Sequence, residues 1–124
     1  ATLRAAREHF GARTKIWCVF QPHLYSRTRL LMKDFAKSFC DADEVLLADI
    51  YAAREKNDRT TNSRRLAEEM RKHTPARYLG TFHAIATFLK TFMKKNDVVI
   101  TMGAGEAYQV WDLIRARTRV ARRG

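Results

Sequence analysis

Residues 16–20 read IWCVF, an unbroken apolar run that is followed by Gln21 and Pro22. A strand buried on both faces has this pattern, because neither direction in which its side chains point meets water. Proline ends such a strand because it has no N–H to donate to the sheet. Doubly buried strands occur in parallel sheets covered by helices, so the run predicts an α/β domain.

The apolar pattern on either side of this run alternates between strands and helices. Further apolar runs predict strands at residues 44–50, 76–80 and 97–102. The order αβαβαβαβα then predicts a small parallel sheet with helices on both faces. The helices are indicated by apolar stripes at helical spacing, which are Leu3, Ala6 and Phe10; Leu31, Phe35 and Phe39; Leu66, Ala67 and Met70; Phe82, Ile85, Ala86, Leu89 and Phe92; and Ala107, Val110, Trp111 and Ile114.

Short polar residues ahead of two helices are candidate caps. The second helix is predicted over residues 28–40, and Ser26 or Thr28 is expected to cap it. Asn62 or Ser63 is expected to cap the third helix in the same way, by accepting a hydrogen bond from a backbone N–H of the first turn.

Composition and charge narrow the function classes. The 124 residues are 46% apolar, which suffices for a core, and they contain neither a membrane-spanning run nor a signal peptide. Cys18 and Cys40 are expected to be reduced core residues of a cytoplasmic protein. The net charge of +11 attracts polyanions and suggests, as an alternative, a small basic nucleic-acid-binding module. No aromatic residues interleave with the terminal arginines as a base-stacking surface requires, so nucleic acid is not the expected partner.

Two loops carry the candidate site residues. One follows the first strand, over residues 21–29, and the other follows the last strand, over residues 103–105. In open parallel sheets, ligands bind beyond the carboxyl ends of the strands, where the strand order reverses. If the order is 3-2-1-4, the first and last strands are neighbours and both loops face one crevice.

The first loop has the chemistry of an anion site. Arg27 can bind a carboxylate or phosphate with two donors beside His23, and a helix amino terminus would add partial positive charge. Asp49 and Tyr51 end the second strand at the crevice edge, where Asp49 can bind ribose hydroxyls or a substrate ammonium, or cap a loop. The turn at residues 103–105 lacks both the third glycine of a dinucleotide fingerprint and the lysine of a P-loop.

No metal site is expected in the chain. His9, His73 and His83 lie on helical segments without partners at metal-ligand spacing, so they are interpreted as surface or core residues. No catalytic residue is assigned either.

Three segments resemble the Mur ligase family, and within it the muramate–alanine ligases. Residues 20–29, FQPHLYSRTR, are similar to the signature FQPHxYSRT. Residues 49–55, DIYAARE, resemble DIYPARE with Ala52 in place of proline, and residues 101–106, TMGAGE, resemble TMGAGD. Residues 1–10 resemble the helix that follows the family's DDYxHHPTE segment. The resemblance covers nearly the whole chain in the correct order.

The resemblance implies that residues 1–124 are a Rossmann-like carboxyl-terminal domain, cut at its amino-terminal edge and without the parent's amino-terminal and central domains. Such a parent uses ATP and Mg²⁺ to join L-alanine to UDP-N-acetylmuramate in cytoplasmic peptidoglycan synthesis, and its central domain carries the P-loop and magnesium ligands. The third domain closes over them, helps enclose ATP and presents the amino acid. Since this chain has no P-loop, it is expected to bind neither ATP nor Mg²⁺ alone and to lack ligase and ATPase activity.

Carried over residue by residue, the resemblance implies that His23 and Arg27 bind the carboxylate of L-alanine or of the product. The complete expectation is a substrate group of His23, Arg27 and Tyr51 and a nucleotide group of Asp49, Gly103 and Gly105. Several family members carry arginine where this chain has Leu24, so one possible carboxylate contact is missing here. Glu106 replaces an aspartate of the family. The murein tripeptide ligase of cell-wall recycling has similar motifs and is the alternative within the family.

Overall fold

A computed structural model describes residues 2–57, 59–103 and 105–115, and its elements alternate as the sequence predicts. The terminal arginines beyond Arg115 lie outside these described residues. Within them, no helix has the length and apolarity needed to cross a membrane. The elements are α1 (Thr2–Phe10), β1 (Ile16–Gln21), α2 (Tyr25–Lys37), β2 (Glu44–Ala48), α3 (Ser63–Met70), β3 (Ala76–Gly80), α4 (Phe82–Phe92), β4 (Val98–Gly103) and α5, described over residues 109–115.

The four strands form one parallel sheet in the order β3-β2-β1-β4. Phe20 of β1 pairs with Leu47 of β2 on one side and with Met102 of β4 on the other. At the carboxyl end of the sheet, Gln21 pairs with Gly103. The predicted strand order is therefore confirmed, and the loops that follow β1 and β4 begin side by side.

Each face of the sheet is covered by its own apolar layer. β1 is buried along its whole length, and because strand side chains alternate, its residues enter opposite layers. Cys18 and Phe20 pack in the layer of α1, α2 and α3, whereas Trp17 and Val19 pack in the layer of α4 and α5. The predicted three-layer α/β architecture is confirmed.

The predicted start of α2 is wrong. The helix begins at Tyr25, three residues earlier than expected, and its N-cap position is taken by Leu24, whose side chain cannot accept a hydrogen bond. Thr28 instead donates its hydroxyl back to the Leu24 carbonyl (2.8 Å), and Ser26 donates to the carboxylate of Glu55. Neither of the two expected caps therefore caps the helix.

The third helix begins as predicted. Asn62 has extended backbone and its side-chain oxygen accepts a hydrogen bond from the backbone N–H of Arg65 (2.9 Å). Ser63, the other candidate, is buried and donates its hydroxyl to the carbonyl of Ala48 at the end of β2. This bond fixes the start of α3 against the sheet.

The two cysteines are both free but differ in environment. Cys18 is buried in β1, and burial raises the pKa of its thiol to about 12, which keeps the thiol protonated and unreactive at neutral pH. Cys40 is exposed, so its predicted core position is wrong. The reason is that α2 ends at Lys37 and the turn that follows carries Cys40 to the surface. Phe10, at the end of α1, is likewise 45% exposed rather than part of the predicted stripe.

Asp97 holds the start of β4 to the core. Its Oδ2 accepts hydrogen bonds from the indole Nε1 of Trp17 (3.0 Å) and from the backbone N of Lys94 (2.9 Å). Because Trp17 is only 2% exposed, its indole N–H depends on this partner. Burial raises the pKa of Asp97, but the two hydrogen bonds and the charges of Lys15 and Lys94 outweigh it, so the pKa lies below its ordinary value.

We expect Asp97→Asn to lower the free energy of unfolding by about 1–2 kcal/mol at neutral pH. Because the folded-state pKa is lowered, the stabilisation is present above the unfolded-state pKa of about 3.9 and is lost as the pH falls through the folded-state value. The difference between the two chains should therefore shrink between about pH 5 and about pH 2. Urea unfolding followed by tryptophan fluorescence at each pH measures it.

Glu8→Gln is the control for this prediction, since Glu8 pairs with Arg4 on the surface and both side chains are largely exposed. That change should alter the free energy of unfolding by less than about 0.5 kcal/mol. A destabilisation by Asp97→Asn that stays constant over the whole pH range would contradict the assigned role of the carboxylate.

Candidate functional site

The candidate residues gather at the carboxyl edge of the sheet. Tyr51 donates its backbone N–H to the carbonyl of Pro22 (2.9 Å), and its own carbonyl accepts the N–H of Leu24 (2.8 Å). His23 and Tyr51 thus form one more parallel bridge beyond the ends of β1 and β2. Their rings stack, with centroids 5.7 Å apart and planes 21° from parallel. The loop after β1 is therefore fixed to the loop after β2.

This stack borders a pocket of about 360 Å³, called here the arginine pocket. All three residues of the predicted substrate group lie in it, together with two of the predicted nucleotide group. Two phenylalanines that the sequence does not mark as site residues add apolar surface. The lining residues are Phe20, His23, Arg27, Phe35, Tyr51, Gly103 and Gly105.

The guanidinium of Arg27 is available to a ligand. Arg27 lies in the first turn of α2 and is exposed, and no residue of the described ranges forms a hydrogen bond or ion pair with its side chain. Its N–H donors can therefore reach a ligand in the pocket, where His23 provides a further donor or acceptor nitrogen. A carboxylate placed between the two side chains would gain charge-assisted hydrogen bonds.

The amino terminus of α2 is already occupied by a carboxylate of the protein. Ser26 donates its backbone N–H to Oε1 of Glu55 (3.0 Å) and its hydroxyl to Oε2 (2.5 Å). From the sequence, this helix end is predicted to contribute its partial positive charge to a bound anion. Glu55 takes up the N–H of Ser26, so a ligand would meet chiefly the side chains of Arg27 and His23, and a contribution of the helix end to anion binding stays a prediction.

Gly103 lies where β4 ends against β1. Its φ of +105° belongs to the region that glycine adopts readily and other residues rarely do. A Cβ at this position would overlap the carbonyl oxygen of Gln21 and lie 2.9 Å from its carbonyl carbon. A Cβ at Gly105, in contrast, would have no described neighbour within 4 Å other than the adjacent residues of the chain. The close approach of the two strand ends therefore requires glycine at 103 but not at 105.

Asp49 lines a second and larger pocket, of about 560 Å³, called here the acidic pocket. Phe82 and Leu113 of this pocket belong to the apolar layer of α4 and α5, so it opens on the face of the sheet opposite to the arginine pocket. Glu106 and Asp112 also line this pocket, so together with Asp49 it has three carboxylates. Tyr51 lines both pockets and marks their boundary.

The predicted nucleotide group is thus divided between the two pockets. Asp49 lies in the acidic pocket, whereas Gly103 and Gly105 lie in the arginine pocket. Oδ1 of Asp49 accepts the hydroxyl of Tyr78 (2.5 Å), and this hydrogen bond is the largest cause of the raised pKa of Tyr78. Nucleotide binding by these three residues stays a prediction.

The described residues do not fit the triphosphate of ATP or a magnesium ion. The carboxylates of the acidic pocket repel phosphate, and the first turn of α4, which borders it, is capped by Thr81 through the N–H of Ala84 (3.1 Å). Within the described ranges, no group of three histidines, cysteines or carboxylates could hold a metal ion. Neither group is therefore given a role on this domain's own residues.

Comparison with known proteins points to one family. Residues 1–105 match the family model described as the Mur ligase, glutamate ligase domain. UDP-N-acetylmuramate–L-alanine ligases are 48% identical over 116 residues in Alkaliphilus metalliredigens and 46% identical over 114 residues in Acetivibrio thermocellus. These alignments cover 94% and 91% of this chain but 25% and 24% of the relatives. The chain spans about a quarter of the length of the curated relatives that it matches.

A solved structure has the same fold. It is a domain from a Haemophilus ducreyi protein assigned as a UDP-N-acetylmuramate:L-alanyl-gamma-D-glutamyl-diaminopimelate ligase. The TM-score is 0.61, and the match covers 93% of this chain and 77% of that one. With 21% sequence identity, the likeness concerns the fold alone.

The two glycines of the arginine pocket give a matched pair of variants. We expect Gly103→Ala to lower the free energy of unfolding by about 2 kcal/mol or more, because it combines an unfavourable φ with a backbone overlap. Gly105→Ala should change it by less than about 1 kcal/mol. Urea unfolding of both variants measures the difference, and equal effects would show that the β1–β4 contact does not restrict position 103.

Proposed function

The chain belongs to the Mur ligase family, and we propose that it is the carboxyl-terminal domain of an ATP-dependent ligase that joins L-alanine to UDP-N-acetylmuramate. Relatives with that activity in their names match nearly the whole chain at 45–48% identity. The similarity to a protein assigned as a tripeptide ligase is at 21% identity and supports only the fold. The alanine ligase is therefore the better supported of the two activities.

The proposed role depends on one observation, which is that the guanidinium of Arg27 has no hydrogen-bond or ion-pair partner among the described residues. Arg27 and His23 would bind the carboxylate of L-alanine, since both side chains border the same pocket. The apolar surface of Phe20 and Phe35 would receive the methyl group. With both ends of the amino acid held, the amine is left to point out of the pocket toward the rest of the ligase.

The contribution of this domain to the reaction is orientation. In the proposed reaction ATP phosphorylates the muramoyl carboxylate and leaves as ADP, and the amine of alanine then attacks the acyl carbon and displaces phosphate to form the amide. Fixing the amine in line with that carbon replaces an encounter in solution with a reaction between held groups, which can lower the barrier by several kcal/mol, up to about 7–11 kcal/mol in ideal cases. The arginine pocket supplies this orientation, and closure of the domain would bring the amine to the reacting carbon.

The nucleotide and its magnesium ion are proposed to bind mainly outside this domain, in the cytoplasmic parent enzyme. Asp49 would face ribose hydroxyls or another group rich in hydrogen-bond donors, because it shares the acidic pocket with Glu106 and Asp112. Gly103 and Gly105 would form the wall between the amino acid and the nucleotide. No nucleic-acid partner is proposed.

We expect Arg27→Ala, in a full-length ligase that carries this domain, to lower kcat/KM for L-alanine about ten- to a hundredfold, because one charge-assisted contact is lost. The KM for UDP-N-acetylmuramate should stay within about twofold. Arg27→Lys should restore activity only in part, since lysine keeps the charge but not the planar fork of donors. Phosphate release at varied L-alanine concentrations measures these constants.

Arg13→Ala is the matched control, because Arg13 is exposed in the turn before β1, at the opposite edge of the sheet. It should leave both substrates unaffected. A folded Arg27→Ala enzyme with unchanged kinetics for L-alanine would show that Arg27 is only a surface charge.

A further inference from the structure

Glu55 joins the two loops that form the arginine pocket. It lies in the loop after β2, and its carboxylate accepts the backbone N–H and the hydroxyl of Ser26, which is 29 positions away in the sequence. Ser26 stands in the first turn of α2, directly before Arg27. A single side chain from one loop therefore binds the turn of the other loop's helix that carries the candidate carboxylate ligand.

The first turn of α2 requires such a partner. The N–H groups at the start of a helix have no acceptor within the helix, and a capping side chain normally provides one. Leu24 occupies the N-cap position and makes no side-chain cap hydrogen bond. Glu55 supplies the missing acceptor from a distance, and its negative charge is favourable at this end of the helix dipole.

Both loops also hold backbone conformations that non-glycine residues rarely adopt. Leu24 has a φ of 68° and a ψ of 136°, and Ala53 and Arg54 have φ values of 47° and 77°. Such conformations persist only where surrounding contacts impose them. For Leu24 these contacts include the carbonyl of Tyr51, which accepts its N–H, and buried Thr28, which donates its N–H and hydroxyl to the Leu24 carbonyl. The bond between Ser26 and Glu55 adds to these contacts by joining the first turn of α2 to the loop after β2.

We propose that Glu55 is a positioning residue for the amino-acid substrate. It holds the first turn of α2 against the loop of Tyr51 and so sets the distance between the guanidinium of Arg27 and the stack of His23 on Tyr51. Glu55 is not among the residues that line the arginine pocket, so it acts through Arg27 rather than by touching the ligand. Because the carboxylate of Glu55 already accepts the N–H of Ser26, a substrate carboxylate would bind to the side chains of Arg27 and His23. The inference rests on the proposed function, in which the ligand is an amino acid.

The link itself is tested on this chain alone, without any ligand. In Glu55→Ala, the amide of Ser26 should exchange its hydrogen at least about tenfold faster, while the amide of Val19 in β1 keeps its protection. Glu55→Gln retains an acceptor oxygen and should restore part of the protection at Ser26. Glu68→Ala, at an exposed position of α3, is the control and should leave Ser26 unchanged.

The consequence is tested in a full-length ligase that carries this domain. Glu55→Ala should raise the KM for L-alanine about tenfold, with kcat and the KM for UDP-N-acetylmuramate changed by less than about twofold. If Glu55 acts through Arg27, the double variant Glu55→Ala/Arg27→Ala should be no worse than Arg27→Ala alone. A residue that only stabilises the fold would not produce this split or this dependence on Arg27.

The outcomes separate the inference from the proposed function. Unchanged exchange at Ser26 in Glu55→Ala would overturn the inference at its first step. Faster exchange with an unchanged KM for L-alanine, while Arg27→Ala raises that KM, would mean that Glu55 only caps α2, and the proposed function would stand without it. If the effects of Glu55→Ala and Arg27→Ala on the KM for L-alanine multiply in the double variant, the positioning role would also be overturned. If neither single variant changes the KM for L-alanine, the positioning role and the assigned role of Arg27 both fail.

Discussion

The pairing of β1 with a parallel strand on each side determines where everything else in the domain lies. With β2 on one side and β4 on the other, three chain segments leave the sheet next to one another at its carboxyl edge. The pairing continues past the strands through the bridge between His23 and Tyr51. At the end of β4 it is so close that Gly103 has no room for a Cβ beside Gln21. The crevice is thus a direct consequence of the strand order.

The alternation of side chains along these strands divides the crevice into two chemically different pockets. Phe20 belongs to the layer of α2, and beside it Arg27 and His23 make a pocket suited to a carboxylate. Gln21, one residue further, borders the pocket on the opposite face, where carboxylates suit donors and repel phosphate. A step of one residue along β1 therefore separates two kinds of ligand chemistry. The same alternation explains why Asp49 lies in a different pocket from Gly103 and Gly105, with which it was predicted to bind the nucleotide.

The sequence predicts the frame of this domain well and its local geometry less well. Runs such as residues 16–20 identify the strands, because a strand that is buried on both faces consists of consecutive apolar residues. The start of α2 could not be read in this way, because its acceptor comes from Glu55, far away in the sequence, and Leu24 adopts a backbone conformation unusual for leucine. The pocket role of Phe35 was also missed, since an apolar residue in a helical stripe looks the same whether it faces the core or a cavity. Arg27 and His23 could be proposed as ligands from the sequence because their chemistry is visible without a structure, whereas the link from Glu55 to Ser26 could not.

The arginine pocket is proposed to bind an amino acid by its carboxylate. The most direct test is a titration of the isotope-labelled chain with L-alanine and, separately, with L-alaninamide, which has the same methyl and amine but no carboxylate. We expect L-alanine to shift the side-chain resonance of Arg27 and the resonances of His23 and Tyr51, and L-alaninamide to leave Arg27 unchanged. Equal shifts with both compounds, or shifts confined to Thr81 and Gln109 of the acidic pocket, would contradict the proposal.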